Sequence, residues 1–304
     1  MNAVMVSLGV MAVTLSRCSD GQYCWYMVQL DVEPISGVLG AVVRGIDLAE
    51  PLDDATIDAI RLAFVTHHVL FFRDQNLDAE QQMAFGRRFG ELDEHPFVYG
   101  TDAHPEVLDI LTMPDDTLNF GGGWHTDVSF LPEPDLGSIL FAVDVPAAGG
   151  DTLFANQHAA YDALSDTMKG MLDGLVAVHS AGSQYQDGGT STRSKAMRTK
   201  NADLAADEVQ HPVVRTHPEN GRKGLYVNRA FTTRISGLRR NESEALLGFL
   251  FNHAVHERFT CRFRWERGSL AMWDNRSVQH FALHDYAGQR RQMRRITICG
   301  DTPV

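Results

Sequence analysis

From Val107 onward the chain is cut into short apolar runs separated by Gly, Pro, Asn and Asp. The runs are Val107–Leu111, Ser138–Val143, Leu175–His179, Val213–Thr216, Leu225–Val227, Phe259–Phe263, Leu270–Trp273, Val278–Phe281 and Arg295–Ile298. Many brief strands at this spacing, with turn residues between them, predict a β-sandwich or barrel. Two helical stretches interrupt the pattern, from Ala155 to about Asp173 and from Glu242 to His256. Upstream, Val38–Ile46 and Val69–Phe72 read as strands. Asp53 or Asp54 caps a helix to about Thr66, and Asp78 caps another that Gly90 ends near Phe89. The expected fold is mainly β with flanking helices.

A chain of 304 residues holds one large domain or two ordinary ones, and 44% hydrophobic with 22% charged residues is globular rather than disordered composition. The formal net charge of -12 excludes a chain-wide affinity for nucleic acid or for an anionic membrane surface. It does not exclude a small anionic ligand, because a few arginines dominate the field at short range. Cys18, Cys24, Cys261 and Cys299 form no CxxC pair and no disulfide framework, which points to a reducing cytoplasm. Residues 1–26 carry an apolar run, Met5–Leu15, without a basic leader or a cleavage site. They are expected to be a disordered tail or an over-called start, with one folded domain over 27–304. Residues 186–208 are polar and form a long loop, either a lid or a disordered segment.

The strongest local signal for chemistry is Trp124-His125-Thr126-Asp127. On an extended chain, residues i and i+2 share a face, so His125 and Asp127 can converge on one ion. Imidazole with carboxylate suits a first-row divalent metal better than calcium. HxD alone also describes a surface His beside a turn Asp, but three glycines, Gly121–Gly123, precede it and Pro132 and Pro134 follow. A third donor is available in His280, where an apolar strand turns through Asp274-Asn275 and restarts. Two His and one carboxylate leave metal positions open for a bidentate co-substrate and O2. Arg291 and Arg295, four apart, share a face of any extended strand, and guanidinium forks suit carboxylates. The competing reading of this run is a solvated basic edge strand.

The segments WHTDVSF, GGDTLFAN, HPVVRTHPENGRKGLYVN, WDNRSVQHFALHDY and RRQMRR occur in that order. Together they resemble the taurine dioxygenase (TauD/TfdA) family of Fe(II)/2-oxoglutarate-dependent oxygenases, from about Leu30 to the C-terminus. The resemblance implies a double-stranded β-helix, or jelly-roll. It implies His125, Asp127 and His280 as Fe(II) ligands and as the catalytic centre, and Arg291 with Thr152 as the holders of the distal carboxylate of 2-oxoglutarate. O2 is the other co-substrate. A carboxylate at Asp127 implies hydroxylation rather than halogenation. Succinate and CO2 are the expected co-products, with sulfite and an aldehyde if the substrate is a sulfonate.

For the substrate, Arg295 matches the arginine that faces the sulfonate in taurine enzymes. His95, Tyr185 and Phe231 match positions lining that pocket. Val98 replaces a tyrosine, with Tyr99 next to it, and glycine replaces an asparagine ahead of Trp124. These departures open the reading from taurine-like alkylsulfonates to alkyl sulfate esters and aryloxyalkanoates. A jelly-roll metal-binding module without turnover is the alternative of another class. The expected partners are a small anionic organic substrate and further copies of the chain, as a dimer or tetramer, with no nucleic acid and no membrane.

Overall fold

The computed structural model describes residues 10–17, 23–117, 119–193 and 197–304. In chain order the first elements are β1 (Val10–Arg17), β2 (Tyr23–Pro34), β3 (Ala41–Arg44), α1 (Asp54–His67), β4 (Val69–Phe72), α2 (Ala79–Gly86), β5 (Leu92–Asp93), β6 (Leu108–Thr112) and β7 (Gly137–Asp144). Next come β8 (Thr152–Asn156), α3 (Gln157–Asp162), α4 (Asp166–Leu172), β9 (Val176–Ser180), α5 (Gly182–Tyr185), β10 (Glu208–Pro212), β11 (Val214–Thr216), β12 (Lys223–Leu225) and β13 (Thr232–Ile235). The chain ends with α6 (Arg240–Ala254), β14 (Thr260–Phe263), β15 (Leu270–Asp274), β16 (Val278–Ala282) and β17 (Arg291–Ile298).

The main sheet runs β1-β2-β3-β4-β15-β7-β17-β5, with β6 also on β17, and a smaller sheet runs β14-β8-β16. Side chains alternate across the main sheet, as a pleated strand requires. Phe71, Ala271, Trp273 and Met293 enter one apolar cluster. Leu70, Phe72, Leu270, Met272 and Ile296 enter another, shared with Ile57 and Phe64 of α1 and Phe85 of α2. Phe154 of β8 reaches across to the first cluster, 5.7 Å from the Phe71 ring and 5.8 Å from Trp273. The two sheets therefore pack face to face as a jelly-roll, with helices on the outer face of the larger one.

The caps follow the local chemistry. Asp53 Oδ1 accepts from Thr56 N, and Asp78 and Gln81 form a reciprocal capping box. One predicted element is wrong. Residues 155–173 are not a single helix: the run Leu153-Phe154-Ala155 is strand β8, Asn156 caps α3, and Ser165 caps a separate α4. A short run buried on both faces carries no period that separates strand from helix. Of the stretch read as a tail or an over-called start, Val10–Arg17 lies antiparallel to β2; residues 1–9 and 18–22 lie outside the described residues. So do 194–196 of the long polar loop, whose flanks make short helical turns at Ser191–Arg193 and Ala202–Ala206.

Three histidines away from the metal-type cluster, His68, His158 and His179, are buried, and burial first of all pushes them down to about 3, about 4 and about 3. Their folded values lie below the unfolded value near 6.5, so the unfolded chain binds more protons between the two. Their contribution to stability is complete above about pH 6.5 and is lost as pH falls toward 4 for His158 and toward 3 for His68 and His179. Each costs about 1.4 kcal/mol per pH unit inside that window. Urea midpoints should fall steadily from pH 7 to pH 5; a midpoint flat across that range would contradict this assignment.

Candidate metal centre and active site

Two segments distant in sequence meet at one point. His125 and His280 form an isolated antiparallel bridge, with His280 N donating to His125 O at 2.8 Å and His125 N to His280 O at 3.1 Å. The continuous strand expected through Trp124–Asp127 is absent: after the bridge the chain turns at once, with Val128 at φ 42°. A β-branched residue in that region costs about 1–2 kcal/mol. The turn is held by Leu131 N donating to Val128 O at 2.9 Å and by Asn228 Nδ2 donating to Ser129 Oγ at 2.9 Å. The expected convergence survives. His125, Asp127 and His280 are all buried, and one donor atom from each lies within 4.8 Å of the others.

Each donor is oriented by a neighbour. His125 Nδ1 lies 2.7 Å from the Gly123 carbonyl. A carbonyl only accepts, so Nδ1 carries the proton and Nε2 keeps its lone pair. Nε2 sits 3.5 Å from Asp127 Oδ1. Ser138 Oγ donates to Asp127 Oδ2 at 2.7 Å, and Arg295 Nη1 donates to Oδ1 at 3.1 Å. Burial opposes ionisation of Asp127, but the Arg295 guanidinium outweighs it and holds the carboxyl well below its usual range. Burial above all pushes His280 down to about 3 and keeps that ring neutral. Its Nδ1 is buried without a partner among the described residues. A carboxylate and two neutral imidazoles form the donor set that Fe(II) takes in oxygenases, so the residues fit that ion.

β17 carries Arg291, Met293 and Arg295 on one buried face, as the four-residue spacing predicts. It is not an edge strand, because β7 lies on one side and β6 and β5 on the other. A small cavity joins Arg291 and Thr152 to His125 and His280. Arg291 Nη2 donates to Gly150 O at 3.2 Å, while its buried Nε has no partner among the described residues. Gly150, at φ 72°, packs so closely that a Cβ there would lie 3.1 Å from Arg291 Nε. A buried guanidinium with an unsatisfied Nε–H beside a cavity has the chemistry to receive a carboxylate.

A second cavity adjoins the first through Arg295 and is lined by all four residues expected at the substrate: His95, Tyr185, Phe231 and Arg295. Arg295 Nε and Nη2 are buried and unpartnered among the described residues. His95 Nδ1 accepts from Phe97 N at 3.1 Å, and burial followed by Arg295 pushes the ring down to about 3, so it is neutral. Asn119, Phe130 and Gln184 also line this cavity, and nothing in their sequence context marks them. Tyr99 does not replace the missing tyrosine: it is exposed, with the Arg198 guanidinium 5.4 Å from its ring. Asp135, also unmarked in the sequence, lies behind the centre. Burial, then Asp93, raises its carboxyl well above the usual range.

The family described as taurine catabolism dioxygenase TauD, TfdA family matches residues 31–297. An alpha-ketoglutarate-dependent sulfate ester dioxygenase of Pseudomonas putida is 38% identical, over 92% of this chain and 92% of that protein. An alkylsulfatase of Acinetobacter baylyi is 36% identical, over 90% of this chain and 86% of its own. The crystal structure of a taurine dioxygenase from Burkholderia xenovorans superposes with a TM-score of 0.77 at 38% identity, covering 90% of this chain and 92% of that one. A family match over nearly the whole folded chain and a shared fold at this level of identity agree: the chain is a dioxygenase and belongs to the taurine catabolism dioxygenase TauD, TfdA family.

Proposed function

We propose that the protein hydroxylates the carbon next to the anionic head of a small organic substrate, an alkyl sulfate ester or alkylsulfonate, using Fe(II), 2-oxoglutarate and O2. His125, Asp127 and His280 hold the iron, Arg291 and Thr152 hold the distal carboxylate of 2-oxoglutarate, and Arg295 with His95, Tyr185 and Phe231 seats the substrate. When bound, iron, 2-oxoglutarate and O2 would supply the oxidation, one oxygen atom of O2 going into succinate as CO2 leaves and the other into the hydroxyl on the substrate carbon. The protein's own residues do the rest. Arg295 offers Nε and Nη2 to the anion, and the walls of Phe130, Phe231 and Tyr185 exclude water around the carbon next to it. The hydroxylated carbon then loses its head group as an aldehyde forms, with sulfate leaving from an ester and sulfite from a sulfonate.

The observation that carries this reading is Arg295: a buried cation with two spare donors, set between the donor cluster and an aromatic-walled cavity. An ammonium tail like that of taurine has no carboxylate but Asp127 among the cavity's lining residues, whereas an apolar tail suits the walls. Two of the relatives named above are called a sulfate ester dioxygenase and an alkylsulfatase, which favours the ester. The aromatic walls also suit an aryloxyalkanoate, whose carboxylate would replace the sulfate. The test is succinate release with Fe(II) under air across alkyl sulfates, sulfonates and aryloxy acids, with sulfate and sulfite measured separately. Alkyl sulfates should release sulfate in step with succinate. Absence of succinate with every member would leave a binding module without turnover.

Arg295→Ala should weaken substrate by roughly 30- to 100-fold, the loss expected for a buried charged hydrogen-bond partner. 2-Oxoglutarate binding should stay within about twofold by the same reasoning, because no hydrogen bond to it is removed. Equal losses for both ligands would show that Arg295 does not divide the two cavities. The proposal also takes residues 27–304 as one domain, working in the cytoplasm as a homo-oligomer. The free thiols of Cys261 and Cys299 support a reducing compartment. No described helix is long and apolar enough to cross a membrane. Light scattering that returns a 33.8 kDa particle would remove the oligomer.

A further inference from the structure

One buried polar contact beside the Arg291 cavity has no part in the roles above. Trp265 is buried, and its indole Nε1 donates to Thr152 Oγ1 at 2.9 Å. The sheet register makes the contact possible. Thr152 opens β8 between Phe263 of β14 on one side and Ala282 of β16 on the other, and Trp265 lies two residues past the end of β14. The indole is locked in place by its neighbours. It meets Phe263 edge-on at 5.0 Å, Phe263 stacks on Phe71 at 3.9 Å, and the Arg73 guanidinium covers Phe263 at 4.2 Å.

A threonine hydroxyl has one proton and two lone pairs, whereas an indole N–H only donates. Trp265 therefore fills an acceptor position of Thr152 Oγ1 and cannot accept the threonine proton. Thr152 Oγ1 has no other hydrogen bond among the described residues, and it faces the cavity that it shares with Arg291. Its proton is left to point at whatever anion occupies that cavity.

We propose that Trp265 is a positioning residue for the 2-oxoglutarate site: by holding the acceptor side of the Thr152 hydroxyl, it commits the hydroxyl proton to the distal carboxylate beside Arg291. The proposal rests on the 2-oxoglutarate reading above. It assigns Trp265 no contact with ligand, metal or substrate.

The test removes the donor and keeps the shape. Trp265→3-benzothienylalanine puts sulfur where the indole N–H was, and 2-oxoglutarate binding to Mn(II)-loaded protein is measured by calorimetry without O2. The dissociation constant should rise roughly three- to tenfold, the range of one lost hydrogen bond. 2-Oxopentanoate, which lacks the distal carboxylate, should bind as it does to the wild type. In a Thr152→Val background the same replacement should change nothing. Trp265→Phe, checked for folding by its melting temperature, should follow the same pattern. An unchanged constant, an equal loss in the Val background, or an equal loss for 2-oxopentanoate would overturn the proposal. Wild-type protein that binds no 2-oxoglutarate would overturn the underlying reading instead, and the proposal with it.

Discussion

Arg291→Ala should raise the 2-oxoglutarate concentration needed for half-maximal succinate release by about a hundredfold, with little change in the apparent affinity for substrate. Arg291 is buried on β17, and its free Nε has no protein partner among the described residues. Truncating one side of a buried charge-assisted pair costs about 2–5 kcal/mol, and every 1.4 kcal/mol is tenfold. Arg291→Lys should recover only part of the loss, because an ammonium lacks the planar fork that meets both carboxylate oxygens. The companion Gly150→Ala should weaken 2-oxoglutarate without touching a charge. Its new methyl would press on Arg291 Nε and Cδ at 3.1 and 3.2 Å, and Gly150 sits at φ 72°, where alanine is strained. Calorimetric titration of the Mn(II)-loaded variants checks both, and an Arg291→Ala protein with unchanged 2-oxoglutarate dependence would mean that another group holds the carboxylate.

Asp127→Ala should abolish divalent-metal binding and, separately, weaken the metal-free fold. The carboxylate is the only anionic donor in the cluster, and Arg295 Nη1 rests on it at 3.1 Å with both side chains buried. Removing one member of such a pair leaves a buried charge unpaired, which costs about 3–5 kcal/mol. Asp127→Ala combined with Arg295→Ala should recover much of that stability, since no charge then remains stranded. It should recover none of the metal binding. Asp127→Asn separates the two effects from the other side: an amide oxygen still accepts from Arg295 but is a poorer ligand. Urea denaturation of metal-free protein and Mn(II) titration by electron paramagnetic resonance read the two effects independently. A metal-free Asp127→Ala protein as stable as wild type would mean that Arg295 finds another partner.

The reading of the chain was most complete where the physics is local. The apolar runs of β4, β7, β15 and β16 lie within a residue or so of their expected places, because their lengths and bounding turn residues are printed in the chain. The caps at Asp53 and Asp78 were legible for the same reason. The stretch 155–173 was misread because Phe154 and Ala155 are buried and Leu153 partly so, which erases the alternation that marks a half-exposed strand. The HxD pair was legible in its outcome but not in its means: a bridge and a strained turn at Val128, rather than a strand, bring His125 and Asp127 together.

What the amino-acid sequence determined alone was the supply: the kinds of donor, their order, and the same-face pairing of Arg291 with Arg295 that follows from a two-residue period. Which of the 13 histidines completes the cluster was suggested by the turn ahead of His280 and by resemblance, and the bridge between His125 and His280 brings that residue to the site. The contacts that orient the site lie beyond any local pattern. Ser138 and Arg295 on Asp127, the partition of two cavities by Arg295, and Trp265 on Thr152 all join residues on different strands. Their meeting depends on strand register and on how the two sheets face each other, and a one-residue slip in either would turn each of these side chains to the opposite face.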